Sequence, residues 1–134
     1  MAVFASSDEL YACLDDLFRR VQDAHPGAAG TLAKARLLIR FRCSEPVAVV
    51  VIDGRSRPPA VRFGTVSARP DTEVALPADV LHRILLGQMS VPAALGSRAM
   101  AVQGSTLKVL MLVELFRYCQ RHYPLVLKQR RLAV

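Results

Sequence analysis

The stretch that decides the fold is Leu76–Phe116, LPADVLHRILLGQMSVPAALGSRAMAVQGSTLKVLMLVELF. Its apolar residues change period along its length. Pro77 stands where a helix begins, and Val80, Leu81, Ile84 and Leu85 form a helical stripe that Gly87 ends. Val91 to Leu95 reads as a second short helix after Pro92. Arg98 to Gln103 then alternates as a strand, with Ala99 and Ala101 on one side and Met100 and Val102 on the other. Gly104 breaks the strand. Ser105 or Thr106 caps a last helix running to about His122, with Pro124 just beyond its end.

Upstream, Ser6 or Ser7 is placed to cap a helix with Asp8 and Glu9 in its first turn. Leu10, Cys13, Leu14, Leu17, Phe18 and Val21 come next at spacings of three and four, one apolar stripe, and Pro26-Gly27 ends it. Ala35 to Cys43 alternates: Leu37, Ile39, Phe41 and Cys43 face one way, Arg36, Arg40 and Arg42 the other. Val47 to Ile52 is a continuous apolar run, the pattern of a strand covered on both faces. Asp53-Gly54 turns the chain into a loop through Arg57-Pro58-Pro59. Ala60 to Val66 and Thr72 to Leu76 supply two further strands, separated by the Arg69-Pro70-Asp71 turn. Hairpin-like strands followed by helices make an α+β arrangement.

The ordered combination resembles the sterol carrier protein type two family. Leu85-Leu86-Gly87 matches its helix-ending turn, Pro92-Ala93-Ala94 its small-residue helix, Arg98 to Val102 with Gly104 its strand and glycine, and Ser105 to Phe116 its last helix. The resemblance implies a five-stranded, mostly antiparallel sheet with helices packed on one face around an apolar tunnel. It also implies binding or transfer of fatty acyl chains, acyl-CoA, sterols or other lipids without chemistry. Relatives also serve as accessory domains, including in quinone biosynthesis. Two departures stand out. The last helix lacks the glycine common near its start, and Leu107, Val109, Leu110, Met111, Leu112, Val113, Leu115 and Phe116 make it apolar on nearly every side. The final residues, Arg131-Leu132-Ala133-Val134, are not a Ser-Lys-Leu address.

The 134 residues suit a single domain over 1–134, with a basic C-terminal tail from about residue 124. A hydrophobic fraction of 52% requires a well-filled core, an internal cavity or an apolar docking surface. Leu107 to Phe116 is far short of the ~20 residues that span a bilayer. MAVFASSDEL has neither a basic region nor a continuous apolar run, so no secretory signal is expected there. Cys13, Cys43 and Cys119 are widely spaced, which favours reduced thiols in the cytoplasm and offers no metal site; no cofactor is expected.

The candidate lipid-lining residues are Leu81, Ile84, Leu85, Met89, Met100, Val102, Leu110, Met111 and Leu115, with Gln103 as a polar contact. Methionine suits an irregular wall. An ordinary filled core explains the same pattern. No residue is assigned a catalytic role: His25 is read as solvated, Asp79 and His82 as facing outward from their helix, and Ser105 as a cap rather than a nucleophile. There is neither a G-x-S-x-G elbow nor a phosphate-cradling glycine loop. The formal charge is +7, and Arg117, Arg121, Lys128, Arg130 and Arg131 make the C-terminal end basic. Together with Arg36, Arg40, Arg42 and Arg62 this suits transient contact with an anionic membrane surface. Nucleic acid is disfavoured, because Phe41 and Phe63 fall on apolar faces and leave no stacking platform. Three readings fit: a non-enzymatic lipid-binding or transfer module; an accessory domain that docks a partner or forms a homodimer through its apolar last helix; and, third, a small enzyme acting on a hydrophobic substrate.

Overall fold

Ser6 starts the first helix as its position requires: its Oγ accepts the Glu9 backbone N–H at 3.2 Å. The helix, α1 (Ser7–Ala24), buries Leu10, Cys13, Leu14, Leu17 and Val21 along one stripe. The computed structural model describes residues 3–64 and 67–132. After α1 comes α2 (Gly30–Ala35), a short helix the sequence pattern does not announce, because only Leu32 is buried on it. Arg36 ends α2 in the left-handed conformation, φ 53°. The first strand therefore starts later than its alternation implies, and Arg36 is not part of the wet strand face.

The strands are β1 (Leu38–Ser44), β2 (Ala48–Asp53), β3 (Ala60–Phe63), β4 (Thr72–Pro77) and β5 (Ala101–Gln103). The expected strand to Val66 runs partly outside the described residues. The sheet order is β3-β2-β1-β4-β5. Only β1 and β4 run parallel; the remaining pairs are antiparallel. Between β3 and β4 the chain passes from one side of the β1–β2 hairpin to the other, which is what makes β4 parallel to β1.

One face of the sheet is apolar and covered. Ile39, Phe41, Cys43, Ala48, Val50, Ile52, Val74 and Leu76 are all buried on it. The other face is charged, and its two acids are shared among three arginines. Glu73 takes both Arg40 and Arg42, and Asp53 pairs with Arg62 at 3.2 Å. Val51, opposite Arg40 on one side and Arg62 on the other, is fully buried beside them. Arginine stems cover apolar surface in this way while their heads stay wet. The hairpin end is locked by Gly54, whose N–H donates to the Leu37 carbonyl at 2.7 Å.

The covering layer is α1 with α3 (Ala78–Leu85), α4 (Val91–Gly96), α5 (Thr106–Leu110) and α6 (Leu112–Gln129). Ser90 and Ser105 cap α4 and α5 through their hydroxyls. The expected single last helix is two. The Met111 N–H turns back to Lys108 and Val109, closing α5. The run that looked apolar all round nevertheless has two faces: Leu107 and Met111 face outward at 75% and 38% exposure, whereas Val109, Leu112, Leu115 and Phe116 are buried on one stripe that continues across the break.

Pro124 lies inside α6 rather than beyond its end. Proline normally costs a helix interior its i−4 hydrogen bond. Here Tyr123, Val126 and Leu127 are fully buried around it, and that packing carries the helix to Gln129. The segment from residue 124 is thus part of a core helix, not a tail. α1 and α6 pack antiparallel: His25 stacks on Tyr118 at 4.6 Å and lies 5.4 Å from His122, while Asp16 meets Arg130 at 3.6 Å. His25, read as solvated, is half-buried in that stack.

Candidate functional site

The helices lie over the sheet with a gap on one side. Asp15, Phe18, Arg19, Val21 and Gln22 of α1, Ala29, Ile52 of β2, Pro59 to Val61 and Leu115 of α6 enclose a cavity of about 160 Å³. Its floor is apolar: Ile52 and Leu115 are buried and Phe18 and Val61 half-buried. Its rim is polar, and Asp15 and Arg19 are paired across one helical turn at 3.0 Å. Period 3.6 explains this division: residues 18, 21 and 22 turn toward the sheet while 15 and 19 border solvent.

Deeper in the core, Leu14, Phe18, Phe41, Val50, Ile52, Leu81, Leu85 and Phe116 surround a second void of about 10 Å³. Phe18 and Ile52 belong to both walls. In place of one continuous tunnel the fold therefore holds an outer cavity and an inner void. A wider depression of about 670 Å³ lies over Arg42, Ser44, Val47 and Arg98. It is open to solvent, with Val47 at its edge 82% exposed, and so does not enclose a ligand.

The sequence-based lining residues scatter. Leu81 and Leu85 face the inner void and Leu115 the outer cavity. Ile84 and Met100 are buried outside both walls, and Met89, Val102 and Leu110 are half-buried against the core. Gln103 and Met111 differ from expectation: both are exposed. The three-residue β5 ends at the sheet edge with Gln103, and Met111 lies one turn after Leu107 on the outward face. Sequence reasoning missed Phe18, Ile52 and Val61 as wall residues. Phe18 and Ile52 belong to its apolar patterns and Val61 to one of its strands, but nothing in the pattern says which side of the sheet-helix layer stays unfilled.

His82 corrects another expectation. It is buried, not outward, and its Nδ1 lies 2.7 Å from the Tyr123 hydroxyl. Phe4 packs edge-on against its ring. Burial holds the His82 pKa below its ordinary value and pushes Tyr123 upward. Asp79 is occupied elsewhere, accepting the Val3 N–H at 3.0 Å. Burial also raises Cys13 and Cys43 to about 11 and Cys119 to about 12, so these thiols stay protonated. The cavity wall carries no Ser, Cys or His. Among the described residues no cluster of acids, histidines and cysteines could hold a metal ion. No described helix is long and apolar enough to cross a membrane.

Neither family models nor curated protein sequences match this chain. Solved structures do. Apo sterol carrier protein 2 from Yarrowia lipolytica superposes with a TM-score of 0.64 at 16% identity, covering 80% of this chain and 89% of that one. The chain has the sterol carrier protein 2 fold. Sterol carrier protein-2 like-3 from Aedes aegypti shares this sterol carrier fold at a TM-score of 0.62 and 14% identity, covering 81% and 97% of the two chains. The ubiquinone synthesis protein UbiJ-SCP2 shares it at 0.60 and 22% identity, with 82% and 90% covered.

Proposed function

We propose that this chain binds a hydrophobic small molecule, non-enzymatically, in the cavity between α1, α6 and the β2–β3 side of the sheet. The carrying observation is the division of that cavity: an apolar floor of Phe18, Val21, Ile52, Val61 and Leu115 beneath a polar rim of Asp15, Arg19 and Gln22. Such a site takes an amphiphile with its tail inside and its headgroup at the rim. Tail burial is worth about 0.8 kcal/mol per methylene and needs no specific polar partner. A volume of about 160 Å³ compares with the ~150 Å³ engineered cavity that admits benzene. It accommodates a ring or a short run of chain without rearrangement. The names of the fold's other holders, sterol carriers among them, support the same class of ligand. A wall without Ser, Cys or His supports carriage rather than turnover, and buried free thiols suit a cytoplasmic setting.

Native mass spectrometry before and after delipidation tests this. Retained lipid, or uptake of fatty acid by the stripped protein, is the expected result, and Leu115→Trp, which fills the outer cavity, should abolish it. A protein of constant mass that takes up no acyl chain sinks the reading.

Exposed Leu107 on α5, Met111 at the break and Leu125 on α6 favour a second reading, an accessory domain that docks a partner or a second copy there. The likeness to UbiJ-SCP2 supports quinone synthesis as one setting for such a role. Sedimentation equilibrium separates the self-association arm: a strict monomer that still binds lipid counts against it.

A further inference from the structure

The end of the sheet at the β2–β3 loop gathers positive charge from three separate segments. The close of α2, the loop after β2 and the turn before β4 bring Lys34, Arg36, Arg55, Arg57 and Arg69 there, all exposed. One side chain fastens the segments together. The Arg55 guanidinium donates from Nε to the Arg36 carbonyl at 3.3 Å, from Nη1 to the Arg69 carbonyl at 3.2 Å and from Nη2 to Asp71 at 2.9 Å. Arg57 adds a bond to the Ala33 carbonyl at 3.3 Å. These cations therefore stand on a tied platform rather than on loose loops.

The two acids of these segments are already engaged. Asp71 takes Arg55 and the Leu38 N–H on one oxygen. Asp53 takes the Arg55 and Ser56 N–H groups on one oxygen and Arg62 on the other. Among the described residues no carboxylate lies within ion-pair distance of Lys34, Arg36, Arg57 or Arg69. Like charges held close repel one another, and a partner's anions would relieve that repulsion.

We propose that this end of the sheet is a docking surface for an acidic face of a partner protein. The proposal is independent of lipid binding. Three features select protein carboxylates over other polyanions. The cations are arginines but for Lys34. An arginine fork matches a carboxylate bidentately, and arginine is enriched in protein interfaces where lysine is depleted. The segments carry no Phe, Tyr, Trp or His on which a nucleic-acid base could stack. Their exposed apolar residues are only Ala35, Pro58 and Ala68, so nothing large is placed to enter a bilayer. The Arg55 clamp also fixes the spacing of the charges. Such preorganisation strengthens binding to a partner whose carboxylates are fixed too, and gives nothing against a fluid lipid surface.

The test is titration of a labelled oligoglutamate peptide by fluorescence anisotropy, at about 0.1 M salt so that distant charges are screened. Vesicles containing phosphatidylserine and duplex DNA serve as parallel probes. Arg36→Gln, Arg57→Gln and Arg69→Gln should each weaken peptide binding about two-fold, and together about ten-fold, the scale of exposed ion pairs. Arg98→Gln, at the opposite end of the sheet and roughly 20 Å away along β1, should leave it unchanged. Arg55→Lys keeps the charge and loses the clamp, so it should weaken binding as well. If melting curves show Arg55→Lys to be unfolded, the triple variant against Arg98→Gln decides. No peptide binding by the wild-type protein overturns the proposal, as does a loss with Arg98→Gln equal to that of a single patch variant. An unchanged affinity in folded Arg55→Lys overturns the fixed platform. Tighter binding of vesicles or duplex than of peptide, through the same arginines, overturns the protein partner and gives the surface to phosphate.

Discussion

The Nδ1 atom of His82 and the hydroxyl of Tyr123 meet at 2.7 Å in the interior, joining α3 to α6 where nearly every neighbour is apolar. Burial lowers the pKa of His82 from its usual value near 6.5. Above that value the ring is neutral in both folded and unfolded chains. As pH falls below it, the unfolded chain takes up a proton that the folded one resists, so stability declines on acidification. Melting temperatures measured between pH 7.5 and 5.5 should fall for the wild-type protein. His82→Asn, which keeps an acceptor near Tyr123, should flatten that segment of the curve. An identical slope in the variant removes His82 as the cause.

The thiols give a second view of the core. Cys13, Cys43 and Cys119 are buried and held protonated by burial, and the thiolate is the reactive form. Ellman's reagent at pH 8 should label the native protein slowly and all three cysteines quickly in guanidinium. Fast labelling of native protein contradicts this packing.

The continuation of α6 past Pro124 is tested by neighbouring leucines. Leu127 is fully buried and Leu125 is 47% exposed. Leu127→Ala should cost about 3 kcal/mol in urea unfolding, and Leu125→Ala less than about 0.5 kcal/mol. Equal, small effects would mean that this segment is not packed.

Gly54 allows a further contact to be probed. A Cβ placed there would lie 2.5 Å from the Leu32 carbonyl oxygen and 2.7 Å from that of Leu37. Both obstacles are backbone, so neither swings aside. Gly54→Ala should destabilise by about 3 kcal/mol; a neutral result shows that α2 yields.

How far the sequence could be read depends on where its information is local. The α1 stripe, the caps at Ser6 and Ser105, each one of two neighbours the sequence offered, and the alternation of Ile39, Phe41 and Cys43 report directly on neighbours along the chain. The split at Met111 was illegible, because a run apolar on every side carries no phase. The extent of α6 was hidden behind Pro124, whose local preference yields to the burial of Val126 and Leu127. His82 sits beside an acid on its helix and so looked polar-facing, but its partner Tyr123 is 41 residues away. The strand arginines looked open to an anionic surface because Glu73 and Asp53, which pair with them, come from other strands. The site was partly legible for the same reason. Composition showed that excess apolar surface needed a purpose, but an unfilled gap is a property of three packed elements together, and no single stretch encodes it.

The strand order has one more consequence. The apolar strands β1 and β2 lie inside the sheet, and the outermost positions go to β3, with four residues, and β5, with three. An unpaired edge is a template on which another chain can extend a sheet, and short edges are a defence against it. A chain this rich in aliphatic residues thus presents a passing copy with only a few free backbone groups on either side, so its solubility at high concentration depends on the brevity of its two least conspicuous strands.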